Sequence, residues 1–148
     1  MSTYTQILYH IVFSTKGREA SLTADRREDL FRYIWGIVKN KHSHLYRING
    51  TADHLHVLTS LHPTVCLADF VREIKTASSR WIRENRVFSG FTHWQDGYGA
   101  FTHSIHERDV QIDYIKNQSE HHRHKTFLEE YRELLTASGV EFDERYLA

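Results

Sequence analysis

Two short segments of this chain carry the side chains best suited to chemistry. Asp53-His54-Leu55-His56 places two imidazoles two residues apart, and Tyr114 and Gln118 follow far downstream, four residues apart. On a β-strand the histidines share one face, and on a helix the tyrosine and the amide share one face. Two imidazoles and an amide can bind a divalent cation, and a phenol beside them can act as a nucleophile. This combination suits phosphodiester chemistry on a nucleic acid.

Each segment by itself also fits an ordinary structural role. The two histidines fit the surface of a half-exposed sheet, and Tyr114 fits the packed face of an amphipathic helix. A zinc hydrolase would need further ligands close to the pair, as in His-x-His-x-Asp-His, and this chain continues with Val57-Leu58-Thr59 instead. The catalytic interpretation therefore depends on the two segments meeting in the fold.

The third ligand of such a metal site has several candidates. His121 and His122 continue the face of Tyr114 at i+7 and i+8, so either imidazole can replace the amide of Gln118. The metal is equally open, because two imidazoles and an amide suit zinc or manganese, whereas Mg²⁺ prefers oxygen ligands and water. Phosphate and water oxygens would have to complete a magnesium shell.

The charge balance limits how this chain can contact nucleic acid. Its 148 residues carry 19 basic and 19 acidic side chains, a formal net charge of zero, unlike a strongly basic, nonspecific duplex binder. A DNA-binding surface must therefore be local. The candidates for phosphate contact follow the first predicted strand or lie on the second predicted helix, where each also fits a solvated face: Lys16, Arg18, Arg72, Lys75, Arg80 and Arg83. Trp94, Tyr98 and Phe101 fit either stacking on unpaired bases or anchoring of a loop in the core.

Composition also limits the class of protein. With 40% hydrophobic and 13% aromatic residues, the chain can form one domain, residues 1–148, with a substantial core. No window approaches the roughly 20 apolar residues of a membrane span. The one cysteine, Cys66, cannot form an internal disulfide, and we interpret it as a small buried hydrophobe. These features predict a cytoplasmic protein.

Periodicity predicts the elements that must position the chemical residues. Strands are expected over Gln6 to Thr15, His44 to Asn49, His54 to Leu61 and Ala100 to Ile105, with Asn49-Gly50 indicating a hairpin. The first helix is expected over Thr23 to Lys41, with Thr23 or Asp25 as its N-cap, and the second over Leu67 to Glu84. A last helix is expected to begin at an Asp109 cap and to carry Tyr114 and Gln118, and the helical pattern resumes from Phe127 to Leu135. The order βαββαβ, then α, is typical of the α+β, ferredoxin-like (RRM-like) arrangement. It predicts an antiparallel sheet with helices on one face, plus a C-terminal helix that carries the tyrosine.

Five blocks, in order along the chain, resemble the single-tyrosine HUH transposases of the insertion-sequence 200 and 605 group, where HUH denotes His-hydrophobe-His. The blocks are Tyr9 to Lys16, Asp53 to Leu58, Lys75 to Ser79, Trp94 to Phe101 and Tyr114 to His122. The stretch from Gly139 to Leu147 also fits, so the resemblance covers nearly the whole chain. The group includes REP-associated tyrosine transposases.

The resemblance implies a mechanism and a set of partners. In such enzymes two histidines and a glutamine bind Mg²⁺ or Mn²⁺, and by position these are His54, His56 and Gln118. The tyrosine, here Tyr114, attacks the scissile phosphate of single-stranded DNA and forms a 5′-phosphotyrosine bond while a free 3′-OH leaves. A second strand end then reverses the step. The resemblance also implies DNA hairpins near the element's ends as substrates, and a homodimer whose active sites are shared between subunits.

Other functions on the same residues remain as alternatives. A catalytically silent module that binds single-stranded nucleic acid would have the same fold, but the intact Tyr114 and Gln118 disfavour it. A His-rich metal-binding or hydrolytic protein would need the extra ligand motif that this chain lacks. A domesticated relative that acts on repeated palindromic hairpins would carry the same site.

Overall fold

A four-stranded antiparallel sheet forms the centre of the molecule. The computed structural model describes residues 2–147, and its strands are β1 (Leu8–Ser14), β2 (His44–Gly50), β3 (His54–Ser60) and β4 (Gly99–His103). They pair in the order β2-β3-β1-β4. β1 lies between two neighbours and under helices, which is why nearly all of its residues are buried on both faces. The predicted α+β, ferredoxin-like order of strands and helices is confirmed.

The helices differ from the predicted ones mainly at their ends. Within residues 2–147 the α-helices are α1 (Arg27–Asn40), α2 (Leu67–Glu84), α3 (Arg108–Lys116), α4 (Gln118–His121) and α5 (Phe127–Ala137). The predicted bounds of α2 are correct. α1 begins later than predicted because Thr23 and Asp25 hydrogen-bond to each other at 2.5 Å, and neither side chain caps the helix. No helix within residues 2–147 has the length and apolarity that a bilayer crossing requires.

Helices cover both faces of the sheet, and strand alternation sorts the side chains between them. Leu55 and Val57 of β3 point into the larger core, which α1 and α2 close. Leu58, on the other face of β3, packs against Ile115 of α3. α5 covers a further part of that second face through Phe127. The two sequence-predicted histidines of β3 therefore lie beneath the C-terminal helices.

The β2–β3 hairpin sets the position of the first histidine. The amide of Thr51 donates to the carbonyl oxygen of His54 at 3.1 Å. The turn therefore spans Thr51 to Asp53, and the predicted Asn49-Gly50 pair ends β2 instead of forming the turn. A Cβ on Gly50 would lie 2.3 Å from the same carbonyl oxygen. Glycine is needed here because two backbone segments approach each other closely.

The predicted tyrosine helix is divided into several pieces. Ser104 caps a 3-10 turn over Ile105–Glu107, and α3 follows directly, so Asp109 lies in the first turn of α3 and does not cap it. Asn117, at φ −95° and ψ 24°, separates α3 from α4. α5 begins after Thr126, whose hydroxyl accepts a hydrogen bond from a first-turn amide. These breaks bring α3, α4 and α5 together over one sheet face.

Candidate metal and nucleophile centre

β3 carries both sequence-predicted histidines on the enclosed face of the sheet. His54 and His56 have no exposed surface, and their ring centroids lie 5.1 Å apart. The alternative that they are ordinary surface histidines does not hold. Two adjacent buried imidazoles require polar partners, because an unpaired buried polar group is costly.

Each of these histidines is oriented by a partner behind it. Nδ1 of His54 lies 2.7 Å from Oδ1 of Asp53, and the hydroxyl of Thr51 donates to the same carboxylate oxygen. Nδ1 of His56 lies 2.7 Å from Nε2 of His10, a buried residue of β1. The Nε2 atoms of the pair consequently face the C-terminal helices. Partners of this kind fix the tautomer and direction of imidazoles that bind metals.

The amide of Gln118 reaches the histidine pair from α4. Its Oε1 lies 3.1 Å from Nε2 of His54. α3, the helix before α4, is held in place by Asn49 of β2. The side-chain amide of Asn49 donates to the last two carbonyl oxygens of α3, each at 3.0 Å. Those carbonyls lack partners within the helix. The sheet thus fixes the point at which α3 ends and α4 begins.

A carboxylate from α5 lies among the imidazoles. Glu130 is only 2% exposed. Its Oε1 lies 3.0 Å from Nε2 of His56, 3.0 Å from Nε2 of His122 and 3.5 Å from Nε2 of His54. Three imidazoles from two parts of the chain therefore converge on one carboxylate oxygen.

The second oxygen of Glu130 faces the nucleophile candidate. Oε2 accepts a short hydrogen bond from the hydroxyl of Tyr114, and it accepts another from Nε2 of Gln118 at 3.0 Å. The structure thus brings together the tyrosine, the amide and both histidines that the sequence predicts for the site. They meet within a single chain.

The buried charges shift the pKa values of the histidine pair in opposite directions. Burial lowers the pKa of His54, but its hydrogen bonds to Asp53 and Glu130 outweigh burial and raise this pKa to about 9. Burial dominates at His56 and lowers its pKa to about 4, despite the opposing effect of Glu130. One imidazole is thus cationic at neutral pH and its neighbour is neutral.

The carboxylate and the phenol also influence each other. Burial and the hydrogen bond to Glu130 both raise the pKa of Tyr114 above its ordinary value. Burial also raises the pKa of Glu130, but hydrogen bonds from His122, His54 and His56 outweigh burial and lower it below its usual range. This arrangement holds Glu130 as an anion and Tyr114 as a neutral phenol.

The donor atoms of the centre fit a divalent cation. One ligand atom from each of His54, His122 and Glu130 lies within 4.8 Å of the other two. The amide oxygen of Gln118 adds a further donor beside His54. His122, one of the sequence alternatives to Gln118 as third ligand, thus lies in this cluster, and its role as a ligand stays a prediction. His121, the other alternative, packs its ring against that of the tyrosine, with centroids 4.7 Å apart.

The basic side chains of α2 lie apart from this centre. α2 packs against the opposite face of the sheet, so the sheet separates Arg72, Arg80 and Arg83 from the histidines. Lys75 donates from Nζ to the carbonyl oxygens of Gln95 at 2.8 Å and Gly97 at 2.5 Å. The Lys75 ammonium thereby holds the loop that precedes β4.

The basic residues after β1 adjoin that same loop. Lys16 and Arg18 belong to a 3-10 turn, and the amide of Lys16 donates to the carbonyl oxygen of His93 at 3.0 Å. Lys16, Arg18 and Lys75 thus lie near one loop at the edge of the sheet. Their role in DNA binding stays a prediction.

Two of the three aromatic candidates are core residues. Trp94 is 4% exposed and donates to Ser78 Oγ at 3.0 Å, and Phe101 is 5% exposed. Tyr98 is 38% exposed and retains a free ring surface.

Cys66 is exposed, so the prediction that it is buried is wrong. It precedes the first residue of α2 and lies outside the apolar stripe of that helix.

Sequence reasoning missed three members of the network. Asp53 was in the motif without an assigned role, although a carboxylate next to a histidine can orient it. His10 lies opposite Leu58 in the β1–β3 register, and strand alternation would have placed it on the histidine face. Glu130 lies three residues after Phe127, on the apolar side of α5, and a charge in an apolar stripe indicates a buried partner.

Comparison with known proteins identifies similar sequences. The family described as "Transposase IS200 like" matches residues 3–118. The transposase for insertion sequence element IS200 of Salmonella typhimurium is 28% identical over 122 residues, covering 76% of each chain. The ISDra2 transposase TnpA of Deinococcus radiodurans is 25% identical over 118 residues, covering 76% of this chain and 84% of the relative.

Comparison of folds identifies similar structures. A crystal structure of a protein from Deinococcus radiodurans R1, assigned as a transposase, has a TM-score of 0.61 and 25% identity; the match covers 80% of this chain and 95% of the other. A REP-associated tyrosine transposase bound to a REP hairpin has a TM-score of 0.57 and 15% identity; that match covers 79% and 72% of the two chains. The second likeness is one of fold.

Proposed function

Because the chain belongs to the IS200-like transposase family, we propose that it cleaves and rejoins single-stranded DNA through a covalent bond to Tyr114. We further propose that His54, His56 and Gln118 hold the divalent cation, Mg²⁺ or Mn²⁺, that this reaction uses. The whole chain, residues 1–148, would act as one transposase domain.

One observation supports this proposal above all others. Tyr114 and Gln118 approach the same carboxylate that contacts His54 and His56. A nucleic-acid binder without catalytic activity has no need for a partly buried nucleophile beside converging imidazoles and an amide. The chemistry of this cluster therefore favours an enzyme over a silent binding module.

The proposed cleavage step forms one bond and breaks one bond at phosphorus. The phenolic oxygen of Tyr114 bonds to the scissile phosphorus, and the bond from phosphorus to the 3′-oxygen breaks. Tyr114 loses one proton and the departing 3′-oxygen gains one, so the products are a 5′-phosphotyrosine and a free 3′-OH. Attack of another 3′-OH on that ester reverses the step without any external energy source.

The residues of the centre divide the work of this step. When bound, the cation supplies positive charge at the scissile phosphate. Asp53 and His10 orient His54 and His56. Asn49 anchors the end of α3 and thereby positions the tyrosine. The hydrogen bond from Tyr114 to Glu130 holds the phenol neutral in the cation-free protein, and the phenol must lose its proton for attack.

Hairpin DNA with single-stranded flanks is the first substrate to test. A transposase with the same fold has been solved bound to a REP hairpin, and the family resemblance implies hairpins near element ends. The protein would act either at the ends of a mobile element or, as a domesticated relative, on repeated palindromes. The resemblance also implies a homodimer with shared sites, which stays a prediction.

A strand-cleavage assay tests the proposal. A hairpin oligonucleotide taken from the palindromes that flank the gene is labelled at its 5′ end and incubated with protein and Mn²⁺. We expect a shortened labelled product that needs the metal and disappears with EDTA. His54→Ala should reduce the rate by at least about 100-fold.

A histidine outside the centre provides the control for the cleavage assay, because it shows whether removing any histidine reduces the rate. His62 lies just beyond β3 and is exposed, and its side chain hydrogen-bonds only to Thr64, so His62→Ala should cleave like the wild type. Cleavage by His54→Ala at the wild-type rate would contradict the proposed metal centre.

A further inference from the structure

Glu130 stands out because it lies outside the segment that the family match covers. That match ends at residue 118, and Glu130 belongs to α5 (Phe127–Ala137). Even so, its carboxylate contacts more of the proposed catalytic centre than any of the predicted residues does. The family match therefore does not include it.

The distances around Glu130 are those between neighbouring ligands of a metal ion. A cation with bonds of about 2.1–2.2 Å separates adjacent donor atoms by roughly 3.0–3.5 Å. Oε1 of Glu130 lies 3.0, 3.0 and 3.5 Å from Nε2 of His56, His122 and His54. Oε1 therefore lies at ligand spacing from each imidazole taken singly, and with His54 and His122 it forms a group whose ligand atoms all lie within 4.8 Å of one another.

The chemistry of the donors points the same way. His54, His56 and Gln118 offer only neutral donors once the histidines are deprotonated, and Mg²⁺ and Mn²⁺ favour anionic oxygen ligands. Glu130 supplies such an oxygen from a site that is 2% exposed. A buried carboxylate is costly unless cations or several donors compensate its charge.

We propose that Glu130 is a direct ligand of the divalent cation, so that α5 completes the metal centre. This inference rests on the proposed function, since it adds a ligand to the same centre. His122 reaches the centre from the segment between α4 and α5 and contacts the same carboxylate oxygen. The C-terminal part of the chain thus contributes to metal binding as well as to the fold.

Calorimetric titration of metal-free protein with Mn²⁺ alone tests the inference without measuring activity. Glu130→Gln keeps the size of the side chain and removes its charge, and we expect Mn²⁺ to bind at least about tenfold more weakly. Glu129→Gln is the matched control, because Glu129 is the preceding residue of α5 and is exposed. It should bind Mn²⁺ within about twofold of the wild type.

A second variant and a second measurement guard against a change of fold. Glu130→Asp keeps the carboxylate on a shorter side chain and should bind Mn²⁺ with an affinity between those of Glu130→Gln and the wild type. Thermal unfolding with and without Mn²⁺ gives the same ranking: the metal-induced rise in Tm should be largest in the wild type and smallest in Glu130→Gln.

The outcomes separate this inference from the proposed function. If the wild type binds Mn²⁺ and Glu130→Gln binds it equally well, the inference fails while the proposed centre stands. If Glu130→Gln binds more tightly, the carboxylate competes with the cation for the imidazoles, and the inference also fails. If the wild type binds no Mn²⁺, both the inference and the proposed centre fail.

Discussion

At the scale of single residues, the centre depends on a proton held by His54. Its two ring nitrogens face oxygen atoms of Asp53 at 2.7 Å and Gln118 at 3.1 Å, and its pKa is raised to about 9. A cation can bind Nε2 only after the proton on that nitrogen has left. Metal binding therefore competes with a proton at neutral pH.

We expect the affinity for Mn²⁺ to rise with pH. Release of one proton per cation gives about tenfold tighter binding per pH unit until pH reaches the His54 pKa of about 9. Without metal, the same proton stabilises the fold; this contribution is complete below about pH 6.5, the ordinary histidine pKa, and is lost as pH rises through about 9. Mn²⁺ titrations between about pH 6.5 and 8.5 measure the slope.

Asp53→Asn tests the cause of this pH dependence. The neutral amide can still accept a hydrogen bond but no longer favours the imidazolium, so the pKa of His54 should fall toward its ordinary value. The affinity curve should then flatten above about pH 7. Asp109→Asn, at a carboxylate that is 83% exposed, is the control. An unchanged slope in Asp53→Asn would contradict the assigned role.

Sequence patterns predict only some of the residues that form the candidate centre. The spacing of His54 and His56, and of Tyr114 and Gln118, follows strand and helix geometry, so local rules place each pair on one face. For Glu130 the local pattern indicates burial but does not identify its partners. Its contacts depend on how α5 crosses the sheet, and that crossing is decided by packing between distant segments.

At the scale of elements, the tight β2–β3 hairpin fixes the first histidine. A methyl group at Gly50 would lie 2.3 Å from the carbonyl oxygen of His54 and 2.7 Å from a methyl carbon of Leu55. We therefore expect Gly50→Ala to lower the free energy of unfolding by about 2–3 kcal/mol, through overpacking and backbone displacement. Urea denaturation of the metal-free protein measures the change.

Gly36 provides the matched control for this substitution. It lies within α1, and a Cβ there would meet nothing within 4 Å. Gly36→Ala should raise the free energy of unfolding by about 0.5–1 kcal/mol, because alanine loses less conformational entropy in a helix. A Gly50→Ala protein as stable as the wild type would show that the hairpin tolerates displacement.

The sequence predicts the bounds of some helices correctly and those of others incorrectly, and the difference has a physical reason. α2 has a long apolar stripe with the helical period, and its predicted bounds are correct. The segment from Asp109 to Gln118 has the same period, but it breaks at Asn117, where the side chain of Asn49 donates to the last carbonyls of α3. A tertiary hydrogen bond of that kind leaves no periodic trace in the sequence.

At the scale of the whole molecule, the side chains of the candidate centre meet within one chain. The hydroxyl of Tyr114 and the imidazoles of His54 and His56 meet at one carboxylate of the same polypeptide. The family resemblance implies sites shared between two subunits instead. The two arrangements predict different behaviour when inactive variants are mixed.

A mixture of Tyr114→Phe and His54→Ala distinguishes the two arrangements. If each site lies inside one chain, as the contacts of Tyr114 within this chain suggest, every site in the mixture lacks one essential group, and this arrangement predicts no cleavage of hairpin DNA. The two proteins are unfolded and refolded together to allow exchange of subunits. Recovery of cleavage in the mixture, absent from either protein alone, would show that the tyrosine acts across a dimer.

The defining step of the proposed mechanism is the covalent bond between Tyr114 and single-stranded DNA. A hairpin strand labelled at its 3′ end is incubated with protein and Mn²⁺, and a denaturing gel separates free strand from protein-bound strand. The wild type should give a labelled band at the size of protein plus DNA, with the nucleotide on the peptide that contains Tyr114 by mass spectrometry. Tyr114→Phe should give none. An adduct formed by Tyr114→Phe, or cleavage by the wild type without an adduct, would contradict the mechanism.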